Sequence, residues 1–172
     1  MIQCLLCSDM TPNQTWLFYS QAVWKTDQAA YIARTLIDNP PDPSCYATKV
    51  TWFAAYNFSI VSYCSPFMRF ENTDKKMERG LSNEVVPNEF QELHSQIFHY
   101  RHKILAHTDI SHMRLCGSDK TFPLVSIETF SAPPIAQAFA LFSKVSEILV
   151  QKLSDIENYT KILQPKTGKT PI

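Results

Sequence analysis

Apolar positions between Thr15 and Asp38 recur near helical spacing: Trp16, Tyr19, Val23, Ala30 and Ala33 to Ile37. They predict a first helix, and Asn39-Pro40-Pro41-Asp42-Pro43-Ser44 ends it, since successive prolines cannot continue a helix. From Tyr46 to Ser65 the pattern is apolar almost all round, with Val50, Trp52, Phe53, Tyr56, Phe58, Ile60, Val61 and Tyr63. Its β-branched and aromatic content also suits a strand over Val50 to Ile60, but its length and the absence of turn signals favour a second helix. A helix with so little polar face is buried in a core or an interface. Pro66 ends it. Phe67 to Val86 is a polar connector, and its mixed-charge run Asn72 to Gly80 reads as a solvated loop.

A third helix is predicted from Pro87-Asn88, with Asn88 as N-cap and Gln91 completing a capping box. Phe90, Leu93, Ile97 and Ile104 keep helical spacing to about Ala106. Two short β-like runs follow, Met113 to Cys116 and Phe122 to Ile127, around the turn signal Gly117-Ser118-Asp119-Lys120. Pro133-Pro134 opens a fourth helix running to about Asn158, with the stripe Ile135, Phe139, Phe142, Val145, Leu149 and Leu153. The fold class expected is therefore mainly α: an antiparallel bundle of about four helices with a small β-hairpin before the last helix. Residues 1–14 are expected to be an N-terminal extension, 15–160 the helical domain and 161–172 a flexible C-terminal tail.

Composition sharpens this picture at a few points. Three glycines in 172 residues suit helices better than tight hairpins. Lys plus Arg equals Asp plus Glu, at 16 each, which argues against coating nucleic acid by bulk charge while leaving room for a local basic groove. Zero net charge also removes one barrier to self-association. The five cysteines have no regular spacing. Cys4 and Cys7 form a CxxC without the second pair a zinc ribbon needs. Cys45, Cys64 and Cys116 are expected to be reduced residues in apolar surroundings. No apolar run approaches the ~20 residues of a membrane span, and no signal-peptide pattern is read at the start. No membrane association is expected, and the cytoplasm is the default location.

The candidate chemistry is concentrated in one segment. All five histidines lie between Glu92 and Arg114, with Arg101, Lys103 and Asp109 among them. The spacing does not favour metal. His99 and His102 stand i,i+3, but no carboxylate joins them on that face. No metal and no cofactor are therefore expected. Acid–base chemistry on phosphate fits better. Imidazole titrates near neutrality, and guanidinium offers a permanently charged fork of donors to phosphate oxygens. Arg101 and His107 are the catalytic candidates. His107 would move a proton to or from an RNA hydroxyl, and Arg101 would stabilise the phosphoryl transition state.

The run Tyr100-Arg101-His102-Lys103-Ile104-Leu105-Ala106-His107-Thr108-Asp109 resembles the signature of the HEPN superfamily. That signature is an Arg, a polar neighbour, a short gap and a His. Here these are Arg101, His102, a gap of five residues after Arg101, and His107. Ala106-His107-Thr108-Asp109 and Tyr63-Cys64-Ser65-Pro66-Phe67 look like a subset of stand-alone bacterial members, some of them linked to phage-abortive systems. The resemblance covers roughly residues 46–112. It implies a helical bundle acting as a metal-independent endoribonuclease, with RNA as substrate, a homodimer, and an antitoxin or defence-system partner. It equally admits a non-catalytic module that binds RNA, a nucleotide or a protein. Where paired toxins of this kind often carry a Tyr two residues after the motif His, this chain has Asp109, which puts silencing by tyrosine modification in doubt.

His102, Lys103 and Asp109 are candidates for substrate binding, each with a plainer alternative. His102 either orients substrate or His107. Lys103 is either a phosphate contact or surface charge. Asp109 suits a helix-exit cap. Arg101 itself has a structural alternative as the ion-pair partner of Asp109 or Glu92. His94, His99 and His112 are expected to be packing or surface residues, and Trp52, Phe53 and Tyr56 core residues. Arg101 and His107 are six apart, about 120° round a regular helix, so they converge only if the helix end is distorted or a second copy completes the site.

Overall fold

The computed structural model describes residues 10–68, 70–71, 77–78, 80–102, 113–116, 124–127 and 132–163. Four helices make up the bundle: α1 (Pro12–Asp38), α2 (Tyr46–Cys64), α3 (Gln91–Tyr100) and α4 (Ile135–Leu163). The mainly α architecture expected from the pattern is what the chain adopts.

The ends of the helices follow local chemistry. α1 begins at Pro12, three residues ahead of the expected Thr15. Thr11 and Gln14 form a capping box there, with the Thr11 hydroxyl accepting from the Gln14 N–H and Gln14 Oε1 accepting from the Thr11 N–H at 2.9 Å. Pro12 sits in the first turn, where its missing N–H costs nothing. In the following turn, Asp42 Oδ1 accepts from the Ser44 N–H and hydroxyl, which holds the Asp42 carboxyl below its ordinary range. α2 closes into a 3₁₀ turn at Ser65–Phe67, where Pro66 removes a backbone donor.

The capping box expected at Asn88 and Gln91 does not form. Asn88–Phe90 is a 3₁₀ turn leading into α3, and neither start carries a side-chain cap. Gln91 instead turns its amide back to donate to the Val86 carbonyl at 2.7 Å and the Asn83 carbonyl at 3.0 Å. This ties α3 to the buried end of the connector, where Leu81, Val85 and Val86 join the core. Gly80 is obligatory in that connector, because a Cβ there would collide with the Phe67 carbonyl. α4 starts after the two prolines as expected and reaches Leu163, beyond the Asn158 that the stripe suggests. Met113–Cys116 pairs antiparallel with Leu124–Ile127, joining Met113 to Ile127 and Cys116 to Leu124. These are the two runs read as a hairpin. A shorter antiparallel pair joins Phe70–Glu71 to Met77–Glu78.

Cross-helix contacts give the directions. Trp16 Nε1 donates to Glu157 and Arg34 lies over the Phe139 ring, so α1 and α4 run antiparallel. Trp52 Nε1 donates to the Leu36 carbonyl and Ser62 to Gln28, so α1 and α2 are antiparallel too. Tyr63 stacks on Phe142, and Tyr56 donates to the Pro133 carbonyl, which sets α2 parallel to α4.

α1 is inverted in size. Its buried residues are Thr15, Ala22, Thr26, Ala29, Ala30 and Ala33, while Trp16, Leu17, Trp24 and Tyr31 face out. Small inward residues let α1 lie close to the large side chains of α4, where Leu141, Phe142, Val145 and Leu149 are fully buried. Thr26 satisfies its hydroxyl by donating to the Ala22 and Val23 carbonyls of its own helix. α2 is likewise less buried than its composition implies. Tyr56, Ile60 and Tyr63 are core residues, but Phe53, expected in the core, is exposed along with Val50, Phe58 and Val61.

Enlarging the inward face of α1 should cost stability. Ala29→Leu inserts a side chain at a position with 0% exposure, and urea unfolding should show a loss of about 1–3 kcal/mol.

Candidate functional site

The last turn of α3 positions the start of the candidate site. Ile97 and Tyr100 turn inward on the helix, and both are buried. Tyr100 donates its hydroxyl to Asn57 Oδ1 of α2 at 3.1 Å, tying the end of α3 to the middle of α2. Burial raises the Tyr100 phenol to about 12, so it keeps its proton. Immediately afterwards the chain passes into a wider, π-type turn at Arg101 and His102. Such a turn breaks the regular spacing of side chains at the point where the signature begins.

Arg101 is part-buried and His102 exposed. The Arg101 guanidinium lies close enough to Cys64, the last residue of α2, to act on its thiol. Burial pushes that thiol up to about 12, and the guanidinium opposes the rise. Cys64 is therefore an inert thiol, reduced and buried, as the sequence pattern implies. Cys45, read the same way, is half-exposed at the start of α2, where the Thr48 backbone and hydroxyl hydrogen bonds hold its thiol below the ordinary value. Glu92 is not a partner for Arg101. It stands nine residues earlier, about 180° round the helix, and its carboxylate accepts from Gln96. Lys103, His107 and Asp109 lie outside the described residues, as do His112, Cys4 and Cys7.

Behind Arg101 the helices α2, α3 and α4 meet at one polar pair in an aromatic setting. Tyr63 Oη and His94 Nδ1 are 2.7 Å apart. Phe67 and Phe98 face the imidazole at 4.8 and 4.7 Å between ring centres, and Phe142 stacks on Tyr63 at 4.4 Å. Burial lowers the His94 pKa to about 4 and raises the Tyr63 phenol. Both groups are thus neutral, and with the imidazole as its Nε2–H tautomer the phenol donates to Nδ1. His94, at 3% exposure, is out of reach of a substrate. It is a packing residue, as expected of it.

Asn57 and Tyr100 were missed as supports of the site. Their signal was present in the chain: Asn57 is the sole amide of α2, and such a group needs a partner when it is covered. Among the described residues, no three of His, Cys, Asp and Glu converge as metal ligands do. A groove of about 410 Å³ between α1 and α4 is lined by Asp27 and Glu147, with Ser143, Ser146 and Gln151. Its carboxylates repel phosphate, and neither Arg101 nor His102 lines it. No helix among the described residues is long and apolar enough to cross a membrane. No family model, no curated protein and no solved structure matches the chain.

The buried imidazole gives a pH prediction. Unfolded, His94 titrates near 6.5; folded, near 4. Between those values the unfolded chain binds the extra proton, so stability rises with pH across that window. The melting temperature of the wild type should therefore fall from pH 7 to pH 4.5. It should fall less in His94→Gln, which keeps a polar group opposite Tyr63 but does not titrate.

Proposed function

We propose that this chain is a metal-independent endoribonuclease of HEPN type, acting in the cytoplasm in a defence or toxin–antitoxin setting. The observation that carries this reading is the setting of Arg101. A part-buried guanidinium stands at the end of a helix that is pinned through Tyr100 and Asn57, just where the helix widens. An Arg whose backbone is fixed in this way can present its fork of donors to phosphate oxygens from a set position.

The chemistry follows from the residue types. His107 takes the proton of the RNA 2′-hydroxyl, and the oxygen attacks the adjacent phosphorus in line. The bond to the 5′-oxygen breaks, that oxygen takes a proton from water, the resulting hydroxide is neutralised by the protonated His107, and a 2′,3′-cyclic phosphate remains. Arg101 offsets the charge that builds on the phosphoryl oxygens. His102, Lys103 and Asp109 contact the substrate around this pair. The partners are RNA, a second copy of the chain, and an antitoxin or defence-system protein.

The test is incubation of purified protein with mixed RNA in EDTA. The wild type should cut and leave 2′,3′-cyclic phosphate ends. Arg101→Ala and His107→Ala should each cut about 100-fold more slowly or less, with circular dichroism unchanged. Cutting that survives both substitutions would overturn the reading. Saturable RNA or nucleotide binding without turnover would instead identify a non-catalytic binding module of the same fold.

A further inference from the structure

The groove between α1 and α4 takes no part in the proposed cleavage, yet its walls carry a distinct chemistry. Trp16 of α1 meets Glu157 of α4, and Arg34 meets Phe139. Asp27 stands eleven residues after Trp16, and Ser146 eleven before Glu157. The same two residues are each seven from Arg34 and Phe139, so the antiparallel register brings Asp27 level with Ser146. Glu147 follows Ser146, and each helix therefore places one carboxylate at this level of the groove.

Ser146 shows that the groove lacks a partner. It lines the groove and is only 6% exposed. The other buried polar residues are Thr15, Thr26, Ser59, Ser62 and His94, and each holds a side-chain hydrogen bond. Ser146 holds none among the described residues. A hydroxyl left unpaired at such depth calls for a partner from outside the chain.

The groups around it offer acceptors. Gln151 donates its Nε2 to Asp155 at 3.0 Å, which leaves its carbonyl oxygen to accept. Asp27 has no ion pair among the described residues, and its neighbour Lys25 lies over the Trp24 ring. Glu147 accepts from Lys144 at 2.9 Å, but that pair is exposed at both ends and easily exchanged for another cation. Ala30 is too small to fill the space, and Val150 adds an apolar edge. An ammonium group has three donors and no acceptor, so it suits such walls, while an anion is repelled. A divalent metal ion gathers about six oxygens round one point. Here the carboxylates come from two helices, and among the described residues no three metal-ligating side chains converge. The volume of about 410 Å³ lies within the ~300–1,000 Å³ of small-molecule sites.

We propose that the α1–α4 groove is a binding site for a short aliphatic diamine in its diammonium form. One ammonium meets Asp27 and the Ser146 hydroxyl, the other meets Glu147 and the Gln151 carbonyl oxygen, and the methylenes between them lie along Val150. The site is independent of the proposed cleavage and of its residues.

Titration calorimetry of the whole protein with putrescine tests this, with butylamine and magnesium chloride as comparisons. Putrescine should saturate one site per chain and bind at least about 10-fold more tightly than butylamine, which has one charge. Asp27→Asn and Glu147→Gln alter exposed positions, so each should keep the wild-type circular dichroism and weaken binding about 10-fold. Ser146→Ala should weaken it about 5-fold. Lys144→Gln removes a competing ammonium and should tighten binding, a result that a merely structural role for these residues would not produce. No saturation by about 10 mM putrescine would overturn the proposal, as would equal affinity for butylamine or unchanged affinity in the Asp27→Asn/Glu147→Gln chain. Saturable magnesium binding that displaces putrescine and is lost in that same double variant would assign the groove to a metal ion and overturn it equally.

Discussion

Close packing of α1 against α4 rests on a run of small side chains. Ala22, Thr26, Ala29 and Ala33 leave room for Leu141, Val145 and Leu149, and so α4 supplies most of the bulk of that contact. The consequence is felt on the other side of the helix. The fully buried positions of α1 are small, its larger inward residues Phe18, Tyr19, Val23 and Leu36 flank them, and Trp24 and Tyr31 turn outward. One steric constraint thus accounts for both the core and the apolar outer surface.

The second organising point is Tyr63. It stacks on Phe142 of α4 and meets His94 of α3, so three helices share a single buried side chain. A polar pair inside an aromatic cluster is costly unless both partners are satisfied. Here the hydrogen bond satisfies one nitrogen of the imidazole and the phenol together, and it sets the rotation of α3 relative to α2. Tyr100 and Asn57 repeat the device at the end of the same helix. Arg101 follows directly, so its location beside Cys64 is inherited from these two hydrogen bonds.

Site and outer face make opposite demands on the surface. The candidate site offers a cation at a helix end, suited to an anionic ligand, while the outward side of α1 offers the aromatic area of Trp24 and Tyr31. With 16 basic and 16 acidic residues balanced over the whole chain, any excess of either charge is local. The acidic groove between α1 and α4 is a third surface, chemically unsuited to phosphate.

Periodicity and punctuation in the chain were enough to determine the helical class, the breaks at Pro40-Pro41 and Pro66, the opening of α4 after Pro133-Pro134, and the paired β-like runs. These are local properties, set by spacing and by prolines that cannot continue a helix. The crowding of His and Arg into one segment was legible for the same reason, since residue type and order are what a signature consists of. The tertiary structure alone decided the rest. Which side of α1 faces inward depends on the bulk of α4, so Trp16, which looks like core by spacing, became surface while Tyr19 packs against the core. Phe53 left the core while Tyr56 stayed, because α2 borders neighbours on one side only. Gln91 abandoned a cap for carbonyls of the connector that folding brought within reach. His94 became a neutral packing residue, and Cys64 an inert thiol beside Arg101, because burial and neighbouring charge arise only when distant segments meet.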